Sequence, residues 1–221
     1  MNNLTLIIPA KQEADSLPFV LQEIELIKCK KIVILEESDK ETINSINNFD
    51  CEIIFQNNSG YGDALIKGIE NVKTEYLCIY NADGSFDPKY LSKKLEMCKK
   101  NDYVFSSRYL REGGSEDDTI ITKIGNFLFS LTGNIFFSLN LSDILYTYIL
   151  GKTNSFKSLN LESKDFCLCV EIPIKAKRMK ASYVDLPSVE RKRLAGFKKV
   201  NEFRDGLKIL IYMLKLFIRI K

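Results

Sequence analysis

Five short apolar runs, spaced through the first half of the chain and separated by helical patterns, constrain the fold more than any other feature. They read LTLIIPA, KIVILEE, CEIIFQ, EYLCIY and YVFSS. A nearly continuous apolar run marks a strand buried on both faces, which is the condition of a strand in a covered parallel sheet. Between the runs the period changes. Residues 17–27 follow Asp15 and Ser16 as candidate caps, and GDALIKGIENV carries Ala64, Leu65, Ile69 and Val72 at helical spacing. DPKYLSKKLEMCKK places Pro88 at a helix start. Repeated strand–helix units with short connections predict an α/β fold, a mostly parallel sheet with helices on both faces.

In such a sheet, ligands bind beyond the carboxyl ends of the strands. Four segments are therefore expected on one rim: residues 9–13, 36–38, 81–87 and 106–108. No internal repeat or low-complexity linker divides the chain of 221 residues, so the reading is one domain over 1–200 and a helical appendage over 201–221.

The net charge of +3 gives no global field that points to nucleic acid. The chain has no histidine, and its six cysteines form no CxxC pair. This argues against a zinc site and excludes a histidine-based relay. Without an N-terminal signal pattern, the cysteines are expected to be reduced, in a cytoplasmic protein. No stretch reaches the roughly 18 uncharged apolar residues that a membrane span requires.

The fourth run leads into NADGSFDP. Asn, Asp, Gly and Ser are turn formers, and Asp87 before Pro88 suits a helix cap. Asp83, just past a buried strand, equally suits a hard cation such as Mg²⁺ or Mn²⁺.

The order IIPAKQE, VILEES, NNSGYGDALIKGIENVKTEYLCIYNADGSFDP and SSRYLREGG resembles family 2 glycosyltransferases with the A-type nucleotide-sugar fold. Its branch is similar to the dolichol- or polyprenyl-phosphate mannose synthases, and the resemblance runs over residues 4–205. It implies a nucleotide-sugar donor lying across the strand ends. Pro9, Ala10 and Glu13 would line the base and ribose pocket, and Glu37 stands where the family has Asp. Gly60 and Gly62 would let the backbone approach the nucleotide. The family's Asp-x-Asp metal motif is here Asn81-Ala82-Asp83, so Asp83 would carry most of the charge facing the cation. Arg108 matches the family's SRY, where it would bind phosphate as a fork of donors.

Past residue 110 the alternation stops. The apolar stretch after EGGSEDDT fits either a helix on the sheet edge or, by resemblance, a face toward membrane and lipid acceptor; Thr122-Lys123 stands where the family has an acceptor Arg. KDFCLCVEIPIKAKRMK predicts a helix after Asp165, kinked at Pro173. Glu171 on it is read as a base facing the acceptor or as a partner of a nearby cation. In ERKRLAGFKKVN, the resemblance assigns Arg193, Lys198 and Lys199 to the diphosphate, although the family's serine is missing.

In the tail, Arg204, Lys208, Tyr212, Lys215 and Arg219 share an arc of roughly 80° at about 100° per residue on an otherwise apolar helix. That pattern fits a helix at a membrane surface or an oligomer contact. The resemblance thus implies an inverting glycosyltransferase, peripheral at the inner face of the membrane. It would move a hexose from a nucleoside diphosphate sugar to a polyprenyl phosphate or another membrane-linked glycan. The rival readings are a sugar nucleotidyltransferase, against which Lys11-Gln12-Glu13 stands where a Gly-rich loop is expected, and a degenerate donor-binding protein.

Overall fold

The computed structural model of the protein describes residues 1–196, 199 and 201–218. Strands β1 (Leu4–Pro9), β2 (Lys30–Leu35), β3 (Glu52–Phe55), β4 (Tyr76–Ile79) and β5 (Tyr103–Ser107) coincide with the five apolar runs. Two further strands, β7 (Ile149–Lys152) and β8 (Tyr183–Pro187), complete a seven-stranded sheet of order β3-β2-β1-β4-β7-β5-β8. Every pairing is parallel except those of β7, which runs antiparallel between β4 and β5 and sets Leu150 opposite both Cys78 and Val104. The sheet is therefore mostly parallel, as expected, with one inserted reverse strand. A second small ladder pairs β6 (Gly114–Ser115) with β9 (Val189–Glu190).

Both faces are covered, which explains the continuous apolar runs. Ile7 joins a core with residues of α3 (Tyr61–Asn71), α6 (Thr153–Ser158) and α7 (Leu168–Arg178). Its neighbours Leu6 and Ile8 point the other way, into a core with residues of α1 (Leu17–Glu23) and α4 (Leu91–Cys98). The remaining helices are α2 (Lys40–Ser45), α5 (Ile120–Phe137) and α8 (Glu202–Ile218). The expected C-terminal helix is thus present as α8. Its Ile209, Met213 and Leu216 enter the first of the two cores, and Arg178 of α7 donates to the Leu216 carbonyl near its end.

α5 stands apart. Only Ser130 and Gly133 of its 18 residues are buried. By length and composition it is long and apolar enough to cross a membrane, which corrects the expectation that no stretch qualifies; Lys123 interrupts the run without lowering its mean hydropathy enough.

α4 buries a lysine on the same side as its apolar residues Leu91 and Cys98. Lys94 is fully buried, donates to the Tyr148 carbonyl, and sits 3.1 Å from the centre of the Tyr148 ring. Burial pushes its ammonium down to about 7 from the ordinary 10.5. Folding therefore expels a proton between those values, so stability falls as pH drops from 10.5 toward about 7 and is level below that. Lys94→Met keeps an unbranched stem and removes the titration. The variant should melt above wild type at neutral pH, with the gap closing as pH rises toward 10.5; a gap independent of pH would show that Lys94 is not held neutral.

Candidate functional site

The carboxyl ends of β1, β2, β4 and β5 open into a cleft of about 790 Å³. Its floor includes Pro9, Ala10, Asn81, Ala82 and Asp83, and one wall is built by α5 and the start of α8. The loop 81–87 is fixed from several sides. Tyr80 and Tyr148 each donate a phenol hydrogen bond of 2.8 Å, to the carbonyls of Phe86 and Asp87. Asp87 accepts from the Lys89 amide at 2.9 Å and caps the short turn Pro88–Tyr90, so it is the cap that its position before a proline suggests. Gly84 adopts φ 79°, and a Cβ there would lie 2.6 Å from the Leu194 side chain, so the turn requires glycine.

Residues 191–194 lie along this loop. The amides of Arg191 and Leu194 donate to the carbonyls of Ser85 and Asp83, both at 2.9 Å. The Arg191 guanidinium reaches the Gly84 and Phe86 carbonyls and forks onto Glu23 at 2.6 and 2.8 Å.

Asp83 is the carboxylate around which the cleft is organised. Its Oδ1 accepts from the amide and hydroxyl of Ser85 at 3.0 and 2.6 Å. Its Oδ2 faces the Arg193 guanidinium at 3.2 Å, and Asp117 approaches the same guanidinium at 4.0 Å. Asn81 Oδ1 accepts from the Tyr61 hydroxyl at 3.4 Å, and Tyr61 is fixed by a 2.7 Å contact with Thr147 and by stacking on Phe166. Glu13 is buried, which pushes its carboxyl up, while Ser16 at 2.5 Å and Lys199 at 3.4 Å pull it down.

Several expected site residues stand elsewhere. Glu36, not Glu37, lines the cleft: its carboxylate accepts from Lys11 at 2.9 Å and Ser59 at 2.8 Å, and Lys11 holds it below its usual range. Glu37 is exposed and off the lining, because the chain leaving β2 turns it outward. Gly60 lines the cleft but Gly62 does not. A Cβ on either would collide with the 163–165 backbone, at 2.2 Å from the Lys164 carbonyl and 2.3 Å from that of Ser163. Their lack of a side chain thus serves chain packing against that segment.

Arg108 reaches the cleft, yet its fork is already engaged by Asp143 at 2.7 and 3.0 Å, with Glu190 at 3.1 Å and Asp118 at 3.6 Å. Burial opposes its charge, but the surrounding carboxylates outweigh burial and raise the guanidinium further.

Glu171 is fully buried away from the cleft. It accepts from the amides of Glu162 and Ser163, both at 2.8 Å, and from Lys175 at 2.7 Å. Of its two sequence readings, the partner of a cation is the one that this geometry shows. Lys198 lies outside the described residues.

The sequence reading passed over Tyr61, Asp117, Asp118 and Glu190. The acidic pair has a signal, as consecutive carboxylates just before an apolar helix. Glu190 gave none, since β9 is two residues long.

A mostly parallel sheet with an acidic loop on its carboxyl rim, opening into a cleft, is the A-type nucleotide-sugar fold. The family model Glycosyl transferase family 2 matches residues 5–159, and the chain belongs to that family; it is a glycosyltransferase. It is similar to an undecaprenyl-phosphate mannosyltransferase of Micrococcus luteus, 24% identical over 209 residues that cover 88% of this chain and 86% of the relative. Among solved structures it resembles glucosyl-3-phosphoglycerate synthase of Mycobacterium tuberculosis in complex with Mn²⁺, UDP and glucosyl-3-phosphoglycerate. The TM-score is 0.78 at 10% identity, over 96% of this chain and 79% of that one. The same enzyme with Mg²⁺ and UDP gives a TM-score of 0.71 at 10% identity, over 96% and 78%.

Proposed function

We propose that the protein is an inverting glycosyltransferase that moves a hexose from a nucleoside diphosphate sugar to a polyprenyl phosphate at a membrane surface. The observation that carries this reading is the continuity of the polar cleft with an exposed apolar platform. Ile121 of α5 and Phe203 of α8 line the cleft and are 62% and 81% exposed. Beyond them the outward faces of the two helices carry Ile124, Phe127, Leu128, Leu207, Leu210 and Leu214. An apolar surface of this extent marks a partner or a membrane, and a lipid acceptor accounts for its meeting the cleft. The mannosyltransferase relative, by its name, acts on such a phosphate.

The donor set fits a divalent cation. Asp83 Oδ2 and Asn81 Oδ1 are hard oxygens on the cleft floor, and Asp83 already attracts a cationic group in Arg193. Asp83 and Asn81 would hold Mg²⁺ or Mn²⁺, which supplies neutralisation of the charge growing on the departing diphosphate. Pro9, Ala10, Glu13, Glu36 and Gly60 would border the nucleoside, and Arg193 and Lys199 would turn from their carboxylates to the diphosphate. Attack by an acceptor oxygen on the anomeric carbon, opposite the diphosphate, forms one C–O bond as the other breaks. A phosphate acceptor is ionised near neutral pH and needs no base, in keeping with Glu171 lying elsewhere.

Incubation with UDP- and GDP-hexoses, Mn²⁺ and a polyprenyl phosphate should yield a glycosyl phosphodiester of inverted anomeric configuration. Release of pyrophosphate from a nucleoside triphosphate, or product only with hydroxyl acceptors, would contradict the reading. Arg193→Met separates its two roles: Mn²⁺ should bind more tightly, with a competitor of Asp83 removed, while transfer falls about tenfold with the loss of a charged contact to the diphosphate. Weaker Mn²⁺ binding in that variant would show that Arg193 does not oppose the cation.

A further inference from the structure

A second groove, of about 370 Å³, lies between α8 and the segment 163–167 and shares no lining residue with the donor cleft. Lys164 enters it from the segment, Lys208 and Lys215 from α8, with Ser59 and Tyr212 between them. Three carboxylates stand near, and each is held from behind. Asp63 accepts from the amide and side chain of Asn58 at 3.0 and 3.1 Å, and Asp205 accepts from the Asn201 amide at 2.8 Å. Asp165 accepts from Ser163 at 3.0 Å and from the Cys167 amide at 2.9 Å. Lys164 and Lys208 meet Asp63 and Asp205 only at 3.4 and 3.8 Å, with 54% and 46% of their side chains exposed. Their carboxylate partners are buried, but the long separations and the solvent-facing lysine ends leave both ammonium groups able to meet a second anion. Among the described residues Lys215 makes no ion pair or hydrogen bond.

The placement on α8 is specific. Asp205, Ile209, Met213 and Leu216 face inward, and Phe203, Leu207, Leu210, Leu214 and Ile218 face outward. At about 100° per residue, Lys208 and Lys215 lie about 20° apart on the flank between those faces, and Ile211 joins the groove to the apolar side. A bilayer contacting the outward face would bring its headgroups level with this flank.

We propose that this groove binds the phosphate of an anionic phospholipid headgroup, separately from the acceptor and the donor. The proposal goes beyond the transfer reading and stands without it. A soluble phosphate compound shares the same chemistry, and the apolar face beside the groove favours the lipid.

The test is co-sedimentation of the full chain with phosphatidylcholine vesicles, with and without phosphatidylglycerol. Wild type is compared with Lys164→Gln/Lys208→Gln/Lys215→Gln and with an equal-charge control, Lys93→Gln/Lys99→Gln/Lys100→Gln, on and just after α4, across the sheet. Each groove lysine should contribute about fivefold to binding of the anionic vesicles, so the groove triple loses about a hundredfold. It should keep its binding to neutral vesicles, its melting temperature and its Mn²⁺-dependent nucleotide binding, while the control keeps its preference for anionic vesicles. Equal weakening of the two triples would reduce the effect to diffuse charge and overturn the site. So would saturable binding of glycerol 3-phosphate without any preference for anionic over neutral vesicles, because the ligand would then be a soluble phosphate. Loss of transfer with vesicle binding intact bears on the transfer reading alone.

Discussion

Asp83→Asn is expected to lower the maximal transfer rate about a thousandfold, equivalent to about 4 kcal/mol of transition-state stabilisation. The substitution isolates charge from structure. The amide oxygen still accepts the two Ser85 hydrogen bonds that shape the turn, and the loop remains held by Tyr80, Tyr148 and Arg191. What is lost is the single carboxylate of the Asn-Ala-Asp motif, and Asn81 brings no charge to replace it. The loss should be greatest in kcat at saturating donor, because the cation acts on charge that develops in the transition state. Full turnover in the variant would remove the metal assignment from this loop.

Glu171→Ala is expected to destabilise the fold by about 3–5 kcal/mol, the cost of breaking a buried charged network from one side. The change strands the amides of Glu162 and Ser163 and leaves the Lys175 ammonium, itself largely buried, without its closest carboxylate. For a chain of this length the melting temperature should fall on the order of 10 °C. The informative comparison is turnover per folded molecule, measured below the new transition. Unchanged turnover supports a purely structural clamp. A variant that stays folded yet inactive would return Glu171 to the catalytic machinery.

The first half of the fold was legible because β1 to β5 sit in a sheet buried on both faces, which imposes apolar side chains at successive positions. β7 escaped notice because it is four residues long, follows an irregular stretch, and owes its place to neighbours distant in sequence. The loop bearing Asp83 was legible from the strand end and the turn residues after it. The exchange of Glu36 for Glu37 was not, since adjacent acidic residues differ only in the direction that the backbone gives them. Arg108 shows a related limit. Its presence at the rim followed from the motif, but its engagement depends on Asp143 and Glu190, which the fold brings from 35 and 82 residues away.

The central claim is that the cleft binds a nucleoside diphosphate through a divalent cation on Asp83. Calorimetric titration of the full chain with UDP and GDP, with Mn²⁺ and again with EDTA, tests it most directly. The account predicts saturable binding of one of the two in Mn²⁺, loss of that binding in EDTA, and the same loss for Asp83→Asn in Mn²⁺. Equal affinity with and without the metal, or no binding of either nucleotide, would contradict it.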